Sequence, residues 1–421
     1  MRLVTTLILD QSMSKTFCPL PFNHLYINPD GGHKPCCRFN DGYIDNNKLK
    51  DYDTLDDTLR SSVRLQAIRK SMLAGEKVSG CASCYKEEHS SGSSMRTGEI
   101  NTWGDYDDYV GKDPVVTNLE ITFGNYCNLA CRTCGSGLST SWIKDENILS
   151  KHYHDRGMAE QRHNVNKQWK PEEFLNVVKL KITGGEPMLH PDFLSFLDMI
   201  IASGVSDKMT VEIFTNSSFV PKSHLLERLN KFKRIGIWLS IDGTHDVQEY
   251  IRHNSKWDTV EQSAIRWLQY ENDNPDNVQI NFAPTISVYN IFNLKEMVTW
   301  FLELREKFSN KPEHFTNCSW NVTTFPSNID IKNLLVKDEL ISELTEFKET
   351  IADINLKSYK FLIEKVIDRL SVSPQGSVRE MVAFTQFNKD LDKLRKQDFI
   401  TTFPELYSQV QKIWDNVDGK L

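Results

Sequence analysis

The chain has 421 residues, 39% of them hydrophobic, and a net charge of −7, which is the composition of a globular protein. The negative charge gives no long-range attraction to phosphate backbones or anionic lipid, so it does not favour a nucleic-acid or membrane-surface partner. No stretch approaches the roughly 20 apolar residues of a membrane-spanning helix, and the N-terminal stretch MRLVTTLILDQSMS has no signal-peptide cleavage site, so we expect a cytoplasmic protein.

Residues 14–100 form an irregular segment that is rich in cysteine. The stretch NHLYINPDGGHKPCC predicts two short strands joined at a turn, because Pro29 presets one turn dihedral and the glycines accept positive φ. A helix is predicted at residues 54–74, with Gly75 just beyond its end. An odd number of clustered cysteines without an export signal indicates metal chemistry rather than disulfides. This segment holds five of the nine: Cys18, Cys36, Cys37, Cys81 and Cys84.

Residues 115–325 alternate short apolar strands with helices such as HPDFLSFLDMIIASG and NLKEMVTWFLELREKF. This pattern predicts a parallel sheet with right-handed helical crossovers, which curls toward a full or partial barrel. Such a barrel has its functional groups at the C-terminal ends of the strands. The predicted strands are Asn118 to Phe123, Lys179 to Thr183, Thr210 to Thr215, Ile235 to Ile241, Val278 to Ile286 and Ser319 to Thr324.

Residues 331–421 have a helical, highly charged pattern, typical of amphipathic helices with one solvated face. The predicted fold class is therefore α/β: a partial (β/α)6 barrel similar to a TIM barrel, with a cysteine-rich N-terminal domain and a C-terminal helical extension. The expected domain boundaries are residues 1–114, 115–330 and 331–421.

Three cysteines, Cys127, Cys131 and Cys134, follow the first predicted barrel strand. A structural zinc site requires four ligands, but no histidine or cysteine follows this loop until His152. Three thiolates would leave one iron of a [4Fe-4S] cluster without a protein ligand, and that iron can bind a small molecule. A zinc loop completed by a distant residue is the alternative.

Around this loop, residues 115–325 resemble the radical SAM superfamily. The cysteine spacing matches that family's C-x3-C-x-φ-C loop, and further motifs occur in the family's order. One position departs from the pattern, since Thr133 stands where the family usually has an aromatic or apolar residue that contacts adenine. The further matching motifs are TGGEP (Thr183 to Pro187), SIDG (Ser240 to Gly243), Arg252 ten residues after Asp242, and TISVYN (Thr285 to Asn290).

The resemblance implies an enzyme that binds a [4Fe-4S] cluster and S-adenosylmethionine (SAM). In that family the reduced cluster cleaves SAM to methionine and a 5'-deoxyadenosyl radical, which abstracts hydrogen from substrate. A flavodoxin or ferredoxin would supply the electrons. Glu186 would contact the SAM amino group, and Arg252 its carboxylate or ribose unless Arg252 forms a surface ion pair. The expected SAM-binding residues are Gly184, Gly185, Glu186, Pro187, Ser240, Asp242, Arg252, Thr285, Ser287 and Asn290.

The second cysteine set resembles the twitch or SPASM-type auxiliary-cluster domain, which usually follows the barrel but here precedes it. The four expected ligands are Cys18, Cys36, Cys81 and Cys84, and Cys37 is an alternative to Cys36. Four thiolates would close a [4Fe-4S] cluster completely. A zinc site made by the same residues is the alternative.

The sequence therefore predicts a radical SAM oxidoreductase that has one auxiliary cluster and acts on a small-molecule or peptide substrate, by net oxidation. The alternatives are a radical SAM enzyme for nucleotide or RNA and a non-catalytic zinc or iron–sulfur module. The sequence does not identify a catalytic side chain. Four histidines are not expected to bind metal: His24, His33, His89 and His190. Residues near strand ends that are candidates for the substrate cavity are Asn216, Ser217, Asn281, Thr323 and Thr324.

Overall fold

A computed structural model describes residues 15–28, 30–40, 48–153, 169–309, 321–351 and 357–421. Pro29, Cys318 and the N-terminal stretch discussed above lie outside the described residues. The described strands are β1 (His24–Ile27), β2 (His33–Lys34), β3 (Asn118–Thr122), β4 (Lys179–Thr183), β5 (Thr210–Thr215), β6 (Arg234–Leu239), β7 (Val278–Phe282), β8 (Thr285–Ile286) and β9 (Asn321–Val322).

The helices alternate with the strands from β3 onward and follow one another after β9. Those before β3 are α1 (Leu20–Asn23), α2 (Leu55–Ser61), α3 (Val63–Leu73), α4 (Ala82–Ser91), α5 (Met95–Trp103) and α6 (Tyr106–Tyr109). Those between β3 and β9 are α7 (Ile143–Leu149), α8 (Phe193–Ala202), α9 (Ser223–Leu229), α10 (His245–Ile251), α11 (Trp257–Asp273) and α12 (Leu294–Phe308). The C-terminal ones are α13 (Asp338–Thr350), α14 (Lys357–Ser371), α15 (Val378–Arg395), α16 (Phe399–Thr402) and α17 (Pro404–Asn416).

The main sheet has seven strands in the order β2-β1-β3-β4-β5-β6-β7. β1 pairs in parallel with β3, β3 with β4, and β6 with β7, while β2 pairs antiparallel with β1 at the edge. The fold class is α/β with a partial TIM-like sheet, as predicted. The pairing of β1 with β3 was not expected, because the N-terminal segment carries no barrel pattern of its own.

One compact unit comprises Met1–Gly124, His163–Gly184 and Leu194–Val211. Its strands alternate strictly between two faces, since successive side chains of a strand point to opposite sides. Leu119 and Ile121 on one face are fully buried, and Glu120 on the other forms a 3.0 Å ion pair with Lys181. Burial of the apolar face fixes the strand register, because a shift of one residue would exchange the two faces.

The other compact unit comprises Asn125–Arg162, Gly185–Phe193 and Glu212–Leu421. Ile237 and Leu239 of β6 are fully buried, and Phe282 of β7 stacks on Phe301 of α12 with 4.3 Å between the ring centroids. This apolar packing of strands on the crossover helices positions the loops at the strand ends, where the site lies.

Three predicted elements differ from the structure. The described part of the predicted sixth barrel strand, β9, lies outside the main sheet. The predicted strand at Val278 to Ile286 divides into β7 and β8, because Pro284 has no N–H to donate to a ladder. β8 then pairs with β9 in a separate two-stranded sheet. The predicted helix at 54–74 is two helices, since the side chain of Ser62 accepts from the Leu65 N–H and starts α3. The three predicted domain boundaries stay a prediction.

Candidate functional site

The loop that follows β3 gathers three cysteines into one buried cluster. Cys127 and Cys131 are 8% and 9% exposed, and the half-buried Cys134 packs against them. The Cys134 backbone N–H donates to the Cys131 carbonyl at 3.0 Å, which closes the second part of the loop into a turn. The three cysteines therefore pack together on one loop, and their assignment as cluster ligands stays a prediction.

The environment of the three thiols favours their protonated form in the absence of a metal. Burial raises the pKa of Cys134 to about 11 and raises the pKa of Cys127 and Cys131 as well. The neighbouring Cys127 and Cys134 sulfurs raise the pKa of Cys131 further, while the Arg252 guanidinium lowers it. Metal binding at these sulfurs must therefore displace protons, as it does at thiolate sites in general.

An arginine inside the loop ties it to helix α15. The side chain of Arg132 is fully buried and donates to Asn388 at 2.6 Å and to Asp392 at 2.5 Å. Its guanidinium lies over the Tyr250 ring, 3.8 Å from the centroid. Sequence reasoning missed these contacts, because nothing near Arg132 in the sequence points to partners about 260 positions later.

The end of α15 holds the same loop at a second point. Arg395 donates to the Ala130 carbonyl at 2.9 Å and to Asp145 at 2.8 Å, and its guanidinium lies over the Trp142 ring. Trp142 in turn donates its indole N–H to the Cys131 carbonyl at 2.8 Å. The C-terminal extension is therefore a structural support of the cysteine loop.

The glycines of the TGGEP motif are required by close backbone contacts. Gly184 has a φ of +135°, and a Cβ there would lie 2.8 Å from the Gly124 carbonyl oxygen. A Cβ at Gly185 would lie 2.2 Å from the Tyr126 carbonyl oxygen. The Glu186 N–H donates to that same oxygen at 2.7 Å. These glycines therefore let their segment pass directly against neighbouring backbone.

Glu186 is a fully buried carboxyl at the end of this motif. It accepts from the Asn216 backbone N–H at 2.6 Å and from the Thr215 hydroxyl at 3.1 Å. The next residue, Pro187, is the first position of a short 3₁₀ turn that Glu186 caps. Burial raises the pKa of Glu186 to about 7, although these hydrogen bonds lower it. A cation beside this carboxyl would restore its ionised form.

The SIDG motif and Arg252 meet at a buried ion pair. Asp242 is fully buried and accepts from Arg252 Nε at 2.8 Å and from the Thr285 N–H at 2.8 Å. The Nη1 of Arg252 also reaches the Cys131 sulfur at 3.9 Å. Arg252 is therefore no surface ion pair, which was the alternative interpretation of this residue.

The TISVYN segment is hydrogen-bonded to the same aspartate, Asp242. Asn290 donates to the carbonyls of Asp242 and Thr285, both at 2.8 Å, and accepts from the Ser287 N–H. The backbone N–H of Ser240 donates to the Thr215 carbonyl at 2.9 Å. Five of the predicted SAM-binding residues thus form one hydrogen-bonded group next to the cysteine loop: Asp242, Arg252, Thr285, Ser287 and Asn290.

Asn216, at the end of β5, contacts the cysteine loop directly. Its side-chain N–H₂ donates to the Cys127 sulfur at 3.7 Å and to Asn128 at 3.0 Å. The sequence marked Asn216 and Ser217 only as residues near a strand end. The other four residues marked in that way are not hydrogen-bonded to the loop by any described contact: Ser217, Asn281, Thr323 and Thr324.

The N-terminal cysteines line one pocket. Cys18, Cys36, Cys81 and Cys84 all contribute to its wall, together with Arg38 and Arg96. Cys81 and Cys84 lie at the start of α4, which places both at one end of that helix. Gly80 fits here because its Cα packs against the Phe39 ring, which a Cβ would meet at 2.3 Å.

Cys36 and Cys37 point to different surroundings. Cys36 lines the pocket, and after burial the nearby sulfurs of Cys18, Cys37 and Cys81 contribute to its raised pKa. Cys37 is exposed and is hydrogen-bonded to Glu120. The pocket therefore favours Cys36 as the fourth thiolate.

No group of three or more His, Cys, Asp or Glu side chains in the described ranges is arranged around a single metal ion. No described helix combines the length and the apolar character needed to cross a bilayer. His24 and His190 are buried and hydrogen-bonded to backbone groups outside the cysteine pocket.

Family models match both cysteine regions. The model of the radical SAM superfamily matches residues 121–274, which include the cysteine triad, TGGEP, SIDG and Arg252. The SPASM model, an iron–sulfur cluster-binding domain, matches residues 18–85, which include the four pocket cysteines. No curated protein matches the sequence.

Solved structures match at low identity. They include Streptococcus suis SuiB bound to S-adenosylmethionine, at 17% identity over 70% of this chain and 54% of that one, with a TM-score of 0.33. Native anSMEcpe with bound S-adenosylmethionine matches at 16% identity over 65% of each chain, with a TM-score of 0.37. TYW1 with a lysine–pyruvate adduct matches at 14% identity over 53% of this chain and 69% of that one, with a TM-score of 0.28. Aligned residues span only 54% and 65% of the first two proteins.

Proposed function

Since this chain belongs to the radical SAM superfamily and carries a SPASM cluster-binding domain ahead of its barrel, we propose that it oxidises a small-molecule or peptide substrate through reductive cleavage of SAM. The observation that carries the proposal is the buried trio of sulfurs on the β3 loop, with Glu186 and Arg252 in the same compact unit. A flavodoxin- or ferredoxin-type protein is the proposed electron donor.

The residues present fit a thiolate-bound [4Fe-4S] cluster. Cys127, Cys131 and Cys134 offer three sulfurs, and two of these sulfurs receive side-chain N–H donors, as cluster ligands do. Held by these cysteines, a [4Fe-4S] cluster would supply the electron for SAM cleavage, and the resulting radical would take hydrogen from substrate. In this proposal the protein itself binds and orients SAM and the substrate, and it excludes water from the site.

The buried group around Asp242 and the carboxyl of Glu186 would hold SAM. Glu186 accepts hydrogen bonds on both oxygens and can add the SAM ammonium as a further donor. Arg252, Ser240, Ser287 and the backbone near Thr285 are the proposed contacts to its carboxylate and ribose. Ser287 Oγ is buried and has no hydrogen-bond partner among the described residues, so it is available to a ligand.

The four-cysteine pocket would hold the auxiliary cluster. Four thiolates close a [4Fe-4S] cluster completely, so this cluster would transfer electrons rather than bind substrate. In this proposal the auxiliary cluster accepts an electron, which is the reason for proposing a net oxidation. A zinc ion bound by the same four thiolates is the alternative occupant, and the match of an iron–sulfur cluster-binding domain to residues 18–85 supports the cluster.

Anaerobic reconstitution tests the proposal. We expect about eight iron and eight sulfide per chain in two cubane clusters, and release of 5'-deoxyadenosine after addition of dithionite and SAM, measured by liquid chromatography. Bound zinc with no 5'-deoxyadenosine would contradict the proposal and favour a non-catalytic metal-binding module.

Substitution of Cys36 is expected to lower the iron content, whereas substitution of Cys37 is not. Cys36→Ala removes a thiolate from the pocket and should lower the iron content to about four atoms per chain, whereas Cys37→Ala should retain about eight. Iron and sulfide are measured after identical reconstitution of both variants. Equal iron loss in the two variants would contradict the assignment of Cys36 as ligand.

Affinity for SAM is expected to rise between about pH 5 and pH 7. The free protein holds the Glu186 carboxyl at a pKa of about 7, and the SAM ammonium binds its ionised form, so each pH unit below about 7 weakens binding by up to tenfold. Calorimetry on the reconstituted protein measures this slope, with Glu186→Gln as the control that should flatten it. A wild-type affinity that is constant from pH 5 to pH 7 would exclude this role for Glu186.

A further inference from the structure

The Asn216 amide is fixed with its nitrogen toward the cysteine loop. Its Oδ1 accepts from the Ser218 N–H at 3.0 Å, which leaves Nδ2 to donate to Asn128 at 3.0 Å and to the Cys127 sulfur at 3.7 Å. The side chain is 6% exposed, so water does not compete freely for these donors. The Cys127 sulfur also accepts from the Leu129 backbone N–H at 3.5 Å.

The Arg252 guanidinium is fixed toward the second sulfur. Its Nε donates to Asp242 at 2.8 Å, and this contact aims Nη1 at the Cys131 sulfur, 3.9 Å away. Asp242 is itself held by the Gln248 side chain through its backbone N–H, and by the Thr285 N–H. Arg252 is 8% exposed, so its charge is only weakly screened.

The third sulfur has different surroundings. The described contact of Cys134 is with the carbonyl of its neighbour Gly135, at 3.7 Å, and a carbonyl cannot donate to a thiolate. Two side-chain donors, one directly after strand β5 and one at the end of helix α10, thus converge on two of the three sulfurs. Neither donor is needed as a metal ligand, so their common feature is the N–H···S contact.

We propose that Asn216 and Arg252 set the reduction potential of the SAM-binding cluster through hydrogen bonds to the Cys127 and Cys131 sulfurs. This inference rests on the proposed function, because it requires a cluster at the triad. Reduction adds one electron to the cluster and therefore increases the negative charge on its sulfurs. Hydrogen bonds to sulfur and a nearby positive charge stabilise that reduced form and raise the potential.

Three substitutions separate the hydrogen bond from the charge. Asn216→Leu removes one N–H···S contact without a change in charge. Arg252→Gln removes the charge but retains an N–H donor, whereas Arg252→Met removes both. We expect a more negative midpoint in all three, with the largest shift in Arg252→Met. In that variant the ratio of reduced to oxidised cluster at a fixed potential should fall at least tenfold, which is about 59 mV for a one-electron couple.

The measurement is a potentiometric titration followed by electron paramagnetic resonance (EPR), without SAM. The auxiliary cluster of the same molecules is the internal control, and its potential should not change. Arg234→Gln is the matched control for loss of charge, since Arg234 is exposed at the N-terminal end of β6, about 17 Å from the C-terminal end of that strand at the usual rise per residue.

The outcomes distinguish this inference from the proposed function. A wild-type protein with no cluster at the triad would overturn both. A wild-type protein that holds the cluster, with midpoints in Asn216→Leu and Arg252→Gln equal to wild type at full iron content, would overturn the redox role alone. If Arg252→Met does not fold, the midpoint potential of Asn216→Leu still tests the redox role, because this variant leaves the Asp242 ion pair intact.

Discussion

Replacement of Cys131 by alanine is expected to abolish the release of 5'-deoxyadenosine and to lower the iron content from about eight to about four atoms per chain. The loop has three sulfurs and no further residue that could replace one of them as a ligand. Cys131 is buried and packs with the other two cysteines, and no histidine or cysteine follows until His152. Two thiolates do not hold a cubane and leave no single open iron for SAM. The measurements are iron and sulfide content and dithionite-dependent SAM cleavage.

Cys37→Ala is the matched control for this experiment, because Cys37 lies outside both sulfur sets. It should retain about eight iron atoms and the activity of the wild type. Retention of full iron content and SAM cleavage in Cys131→Ala would show that the triad does not hold the reactive cluster.

Replacement of Arg132 by methionine is expected to lower the free energy of unfolding of the metal-free protein by about 3–5 kcal/mol, the usual effect of removing one partner of a buried ion pair. Asp392 would remain largely buried without its cation, and the Tyr250 ring would lose the guanidinium above it. Urea unfolding followed by circular dichroism measures the change. The triad should also load less iron, because its loop loses the contact with α15.

Two further variants serve as references for the loss of stability in Arg132→Met. Lys256→Ala breaks the exposed ion pair with Glu249, and such pairs contribute less than about 1 kcal/mol. The double variant Arg132→Met, Asp392→Leu should recover part of the loss, since it leaves no unpaired buried charge. A single Arg132→Met variant as stable as Lys256→Ala would contradict the supporting role of this pair.

Local patterns in the sequence predicted the cysteine loop and the strands around it. The spacing of Cys127, Cys131 and Cys134 lies within eight residues, and β3, β4 and β5 each have their own apolar run, so no distant contact is needed to recognise them. The position of Glu186 beside this loop followed from one rule, that parallel strands bring their C-terminal ends to one edge. Arg252, at the end of α10, was assigned from the resemblance to the radical SAM superfamily.

Contacts between distant segments were not predictable in this way. In the sequence, Arg132 looks like an ordinary polar residue of a loop. Its partners Asn388 and Asp392 belong to a charged helical pattern that is typical of a solvated face. The parallel pairing of β1 with β3 likewise joins a four-residue strand to one more than ninety residues away. No alternation or spacing within either segment identifies its partner, because pairing of distant segments depends on the whole chain.

The support of the cysteine loop by α15 has a consequence for the order of events during synthesis. The partners of Arg132 follow it by 256, 260 and 265 positions, so at about 5–20 residues per second the ribosome reaches them roughly 13–50 s later. We expect a nascent chain that ends before Asn388 to bind no stable cluster at the triad. Iron delivery to this protein would then be a post-translational event, and its donor would have to recognise a completed fold.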